Sequence, residues 1–156
     1  MKKEMNNKGF SLVELIIVVA IMAVLIGVLA PAYLQYVEKS KKTNDCTTIG
    51  SVMDAMEILA ADPSYTWTSG QTLIADISAG TTAAVYSNGT VDSTVETALG
   101  NIVNAGKTTL SSGWTSAKIT ATKQADGTIA FAMNGITQAD IEAVSPKLAK
   151  RFEAFS

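Results

Sequence analysis

The chain has 156 residues, 12 Lys and Arg against 14 Asp and Glu, a single Cys and no His. Without His there is no imidazole acid–base catalysis, no Ser-His-Asp triad, no Cys-His pair and no zinc site of the usual spacing. Cys46 has no partner for an intrachain disulfide, and a formal net charge of −2 argues against a dedicated nucleic-acid surface. A local basic cluster does occur near the C-terminus, at Lys147, Lys150 and Arg151. The length suits one domain plus an anchor.

Residues 1–9, MKKEMNNKG, are polar and basic, and end in Lys8-Gly9. Without them the chain carries 9 basic and 13 acidic groups, a formal net charge of −4, since Lys2, Lys3, Lys8 and Glu4 are removed. Phe10 then opens an apolar run to Ala32, FSLVELIIVVAIMAVLIGVLAPA, interrupted by one carboxylate, Glu14. About 20 apolar residues suffice to span a bilayer core. A carboxylate in such a span costs roughly 2.5–3.5 kcal/mol at mid-membrane and less near the interface, so Glu14 calls for a partner.

The order of these parts is informative. An ordinary secretory signal is cut after its apolar region, whereas here the Gly9-Phe10 junction precedes it. The run Lys8, Gly9, Phe10, Ser11, Leu12, Val13, Glu14, Leu15 resembles the type III signal of type IV prepilins, and the resemblance continues through Pro31 and Tyr33. It covers about the first third of the chain. It implies cleavage after Gly9 by a prepilin peptidase, N-methylation of Phe10, and a role for Glu14 in subunit assembly. The same apolar run can also be read as a plain membrane anchor. A third reading is a signal cut after Ala30-Pro31-Ala32. Against that cut stand Pro31 beside the scissile bond, an apolar region longer than usual, and Glu14 within it.

The helix is expected to continue beyond the membrane boundary. Gln35, Glu38, Lys39, Lys41, Lys42 and Asp45 read as a solvated charged segment. Cys46, Ile49, Val52, Met53, Met56, Leu59 and Ala60 then recur at three- and four-residue spacing, one apolar face of an amphipathic helix. Asp62-Pro63 ends it, because a residue before Pro is pushed out of helical geometry. From Phe10 to Ala61 such a helix is roughly 78 Å long. Gly27 and Pro31 mark a helix break, since Pro31 lacks the N–H that would bond the Gly27 carbonyl and its ring crowds that oxygen. This reads either as a tolerated kink or as a stretch that melts on leaving the bilayer, as the resemblance to pilins implies.

The remainder is rich in Thr, Ser, Ala and Gly, with strand-like segments. Ser87-Asn88-Gly89-Thr90 signals a turn, which outweighs reading Asn88-Gly89-Thr90 as a glycosylation sequon. Ser93-Thr94-Val95-Glu96 reads as a capping box opening a short helix to about Val103, stopped by Gly106. Residues 117–122 and 128–133 alternate and are joined by Ala125-Asp126-Gly127, a hairpin. Thr137 to Phe155 looks helical, broken at Ser145-Pro146. Asp76, Asp92 and Asp126 lack EF-hand spacing. Trp67 and Trp114 read as core or surface anchors, and Cys46 as a small packed apolar residue.

The expected architecture is α+β, a long N-terminal helix packed against a small antiparallel sheet. Its parts are a leader over 1–9, a transmembrane or filament-core helix over 10–33, and a soluble head over 34–156. The pilin resemblance implies a structural subunit, not an enzyme, with no catalytic site, metal or cofactor. The implied partners are further copies of the chain in a homopolymeric filament, a prepilin peptidase, a pilus assembly platform in the membrane, and lipid before assembly. It also lacks the C-terminal disulfide common in Gram-negative pilins. A pseudopilin of a secretion or DNA-uptake system, and an anchored binding or adhesion domain that never polymerises, stay open as alternatives.

Overall fold

The computed structural model describes residues 10–65, 67–78, 84–87, 90–91, 94, 97–98 and 110–155. Leader residues 1–9, the Asn88-Gly89 turn with its sequon, most of the short helix expected from Ser93, and Gly106 lie outside them. The chain divides into two units, Met1–Val37 and Glu38–Ser156. Helix α1, Leu12–Ala61, contributes to both.

α1 starts two residues after Phe10 and ends directly before Asp62-Pro63. Beyond it the Asp62 carboxylate accepts the Ser64 N–H at 2.8 Å, a local turn that the Asp-Pro pair prepares. In the first unit no residue from 10 to 36 is buried. In the second, Cys46, Ile49, Val52, Met53, Met56 and Leu59 of the expected apolar face are all buried, and Ala60 at its end is half-buried. Asp45 corrects the sequence reading. It is not part of a solvated segment but fully buried, at 0% exposure.

Six strands form one sheet: β1 Thr72–Ser78, β2 Ala84–Ser87, β3 Thr90–Val91, β4 Ser116–Lys123, β5 Ile129–Asn134 and β6 Phe152–Phe155. Their order is β3-β2-β1-β4-β5-β6. The α+β class holds. The β1–β2, β2–β3, β1–β4 and β4–β5 pairings are antiparallel, and β5–β6 is parallel. Period-2 alternation places buried side chains in rows across three strands: Leu73, Ala121 and Phe131, then Ala75, Ile119 and Met133. These rows and the buried face of α1 belong to one hydrophobic cluster. Each large aliphatic side chain so buried contributes roughly 1.5–3 kcal/mol.

The β4–β5 hairpin forms as its alternation requires. Gly127 takes φ +88°, and the Asp126 carboxylate accepts the Thr128 N–H at 2.9 Å and hydroxyl at 2.6 Å. The continuous helical expectation for the C-terminal stretch is corrected. It divides into α2 Gln138–Glu142, α3 Pro146–Ala149 and strand β6. Thr137 caps α2, its hydroxyl accepting the Asp140 N–H at 3.2 Å, and Pro146 opens α3, where its missing N–H costs nothing. After α3, Arg151 turns the chain back onto α1, with ion pairs to Asp54 at 2.7 Å and Glu57 at 3.0 Å. The guanidinium also lies 5.9 Å from the Phe131 ring centre.

Loop 110–114 is clasped to α1 by carboxylates. Asp45 Oδ1 accepts the Ser111 N–H and hydroxyl, each at 2.7 Å, and Asp45 Oδ2 accepts the Ser112 N–H at 2.9 Å. One helical stretch earlier, Glu38 Oε1 accepts the Gly113 N–H at 3.0 Å. Trp114 is buried beside them, with the Lys42 ammonium 5.6 Å from its ring centre.

Candidate processing and assembly site

Phe10 and Ser11 lie outside the helix, and Leu12 begins it. The first backbone bond of the helix runs from the Leu15 N–H to the Ser11 carbonyl at 3.2 Å. Ser11 therefore occupies the N-cap position and Glu14 the third helical one. From there the Glu14 side chain reaches back, and its Oε2 accepts the Ser11 N–H at 2.9 Å. That is the acidic half of a capping box, which satisfies a donor that the helix itself leaves unpaired. A carboxylate in this first turn also opposes the positive end of the helix dipole.

From this end the helix presents apolar surface on every side. Phe10 is 85% exposed, and the large side chains from Leu12 to Leu34 that follow it are exposed as well. Soluble monomers rarely show contiguous apolar patches beyond a few hundred Å². By length and composition the segment is able to cross a membrane. Gly27 and Pro31 lie within α1, which continues through both, and a Cβ at Gly27 would meet nothing within 4 Å. They stand 13 and 17 residues beyond Glu14, about 20 and 26 Å along the helix.

A family model described as the prokaryotic N-terminal methylation motif matches residues 5–30. The chain is also similar to the type IV major fimbrial protein FimA of Dichelobacter nodosus, 30% identical over 96 residues. These findings support a type IV pilin. The similarity covers 58% of this chain and 62% of the fimbrial protein, so it spans about three fifths of that relative's length. No solved structure matches the chain.

The pilin-type segment brings Phe10, Ser11 and Glu14 together at one end of α1, and leaves Gly27 and Pro31 well apart from them. Gly9 lies outside the described residues. The part played by Ser11 was not foreseen from the sequence, although Ser11-Leu12-Val13-Glu14 spells the S-x-x-E signature of a capping box. Elsewhere the buried Cys46 thiol is pushed up to about 11, by burial first and the neighbouring Asp45 carboxylate second, so it stays protonated and unreactive near neutral pH. Among the described residues no group of His, Cys, Asp and Glu is arranged to hold a metal ion.

Proposed function

We propose that this protein is the structural subunit of a type IV pilus filament. The observation that carries the reading is an apolar helical segment with no buried residue, set directly behind a prepilin-type junction and bearing one acid in its first turn. The precursor resides in the cytoplasmic membrane, held by residues 10–33, with the head 34–156 outside the bilayer. A prepilin peptidase cuts after Gly9 and methylates the new amine of Phe10. An assembly platform then transfers the helix from lipid to a filament core, where other copies of the same helix replace lipid around Leu15 to Leu29. The filament is extracellular and the role is structural, not catalytic.

Glu14 supplies register in this scheme. Its carboxylate neutralises the Phe10 ammonium of a neighbouring subunit, as buried polar contacts fix register in other assemblies. Gly27 and Pro31 supply compliance, because Pro31 removes one backbone bond and Gly27 costs about 1 kcal/mol of helix propensity. The test has two parts. Mass spectrometry of protein sheared from cells finds a chain beginning at methylated Phe10, and Gly9→Val leaves uncut precursor in the membrane. Electron microscopy of the same sheared material finds long fibres. Short fibres retained in the envelope favour a pseudopilin, a cut subunit that never forms fibres favours an anchored binding domain, and a mature chain starting at Tyr33 overturns the processing scheme.

A further inference from the structure

We infer that Tyr33 and Tyr36 form an interfacial anchor: in the precursor their rings lie among the lipid headgroups on the head-bearing side of the bilayer and set how deep the apolar helix sits. The inference rests on the membrane-held precursor proposed above and adds the residues that fix its depth.

Length alone does not determine that depth. From Phe10 to Val37 the largely apolar stretch has 28 residues, about 42 Å of helix, against a hydrocarbon core of about 30 Å. Glu14 is the one charge in this stretch, which contains no Trp, Lys or Arg. The residues that hold a helix at a membrane surface are Trp, Tyr, Lys and Arg. Tyr33 and Tyr36 are thus the whole anchoring set of the first unit.

Their placement fits the task. They stand three residues apart, neighbours on the helix surface, and are 66% and 73% exposed. Among the described residues neither hydroxyl has a hydrogen-bond partner. A ring with an apolar body and a polar tip suits the layer where acyl chains give way to headgroups, whose ester and phosphate oxygens accept a phenol O–H. Between Glu14 and Tyr33 lie Leu15 to Ala32, 18 residues that rise about 27 Å. That matches one hydrocarbon core, so tyrosines at one surface leave Glu14 at the other, where a carboxylate costs less. Gln35, between the tyrosines, is also polar, and the test separates its effect from theirs.

The experiment uses the full-length precursor in vesicles of phosphatidylethanolamine and phosphatidylglycerol, with Cys46→Ala and a nitroxide attached at Val28→Cys. Relative accessibility to oxygen and to a water-soluble nickel chelate gives the depth of the label, which sits five residues and about 7 Å inside Tyr33. Gln35→Leu alone is expected to leave that depth unchanged, because the tyrosines still hold the surface. Adding Tyr33→Leu and Tyr36→Leu carries the apolar run to Val37. Whether the longer run slides or tilts, the label then sinks by at least about 3 Å and at most about 7 Å, the rise of residues 33–37. Tyr33→Trp with Tyr36→Trp, in the same Gln35→Leu background, is expected to keep the original depth. A shift below about 3 Å with leucine, an equal shift with tryptophan, or an equal shift with Gln35→Leu alone overturns the inference and leaves the membrane reading intact. A label as open to the nickel chelate as in water, with the tyrosines and Gln35 unchanged, overturns both.

Discussion

Removing the Asp45 carboxylate tests what fastens the head to its helix. Asp45 is fully buried and accepts hydrogen bonds from the Ser111 N–H, the Ser111 hydroxyl and the Ser112 N–H. Hydrogen bonds to a charged group contribute about 1.5–3 kcal/mol each. Their simple sum overstates the loss, because Ser111 is exposed and Ser112 half-buried, so water recovers the freed donors. The desolvation cost of the carboxylate also disappears with it. We therefore expect Asp45→Ala to cost about 3 kcal/mol, a lowering of the melting temperature of about 10 °C for a domain of this size. Asp45→Asn keeps one acceptor but sets an amide donor against backbone donors, and lies between wild type and Ala. Glu38→Ala is the internal control, since its bond to Gly113 is exposed and its loss costs about 1 kcal/mol or less. Thermal unfolding of the full chain in micelles, followed by near-UV circular dichroism, gives the ranking. An Asp45→Ala shift no larger than that of Glu38→Ala would refute the assignment of the clasp to Asp45.

Two other positions give independent tests. Gly135 has φ +95°, and a Cβ there would stand 2.6 Å from the Ser116 hydroxyl oxygen and 2.7 Å from the Ser116 carbonyl oxygen. Gly135→Ala therefore combines backbone strain with a clash against a strand, at a cost of about 2–3 kcal/mol, readable in the same melts. The Cys46 thiol, raised from 9.0 to about 11 in the folded chain, ionises first in the unfolded one. Its contribution to stability is thus complete below pH 9.0 and is lost as pH climbs towards about 11. Cys46→Ala should show a shallower alkaline decline than wild type in denaturant midpoints across that window.

Local signals made much of this fold readable. The buried face of α1 follows from 3.6-residue periodicity, its end from Asp62-Pro63, and the β4–β5 hairpin from alternation around a Gly that needs positive φ. What escaped the sequence depends on distant partners. Asp45 sits among charged neighbours and looks solvated, and only the return of Ser111 and Ser112, 66 and 67 residues later, buries it. Strand β6 spells Phe-Glu-Ala-Phe behind a helical pattern, and it is a strand because β5 is beside it to accept a parallel partner. β1 has ideal alternation, with Leu73, Ala75 and Ile77 inward, but residues 79–83, between it and its antiparallel partner β2, carry no Asn-Gly or Asp-Gly turn signal, which left little to separate it from its Thr-rich surroundings. At the candidate site the junction and Glu14 were plain in the sequence. The reach of Glu14 to Ser11 was spelled there too, but the cost of an acid in an apolar span drew attention to an external partner instead of a local one.

The acids of α1 explain how a head without an intrachain disulfide is held. Two exposed carboxylates, Asp54 and Glu57, take the Arg151 guanidinium that leads into β6, whose backbone is in turn secured along β5. Asp45 and Glu38 take the backbone donors of the loop that leads into β4. The two fastenings differ in kind. Arg151 is about a third exposed and its partners are half exposed or more, so the pair contributes about 1 kcal/mol at best and salt weakens it. Asp45 is enclosed, and salt has little access to it. The loop before β4 is therefore the firmer attachment, and the C-terminal strand depends more on its parallel pairing and on Phe152 in the core than on its charges. A disulfide would tie that end covalently. Here the parallel pairing along β5 and one arginine take its place.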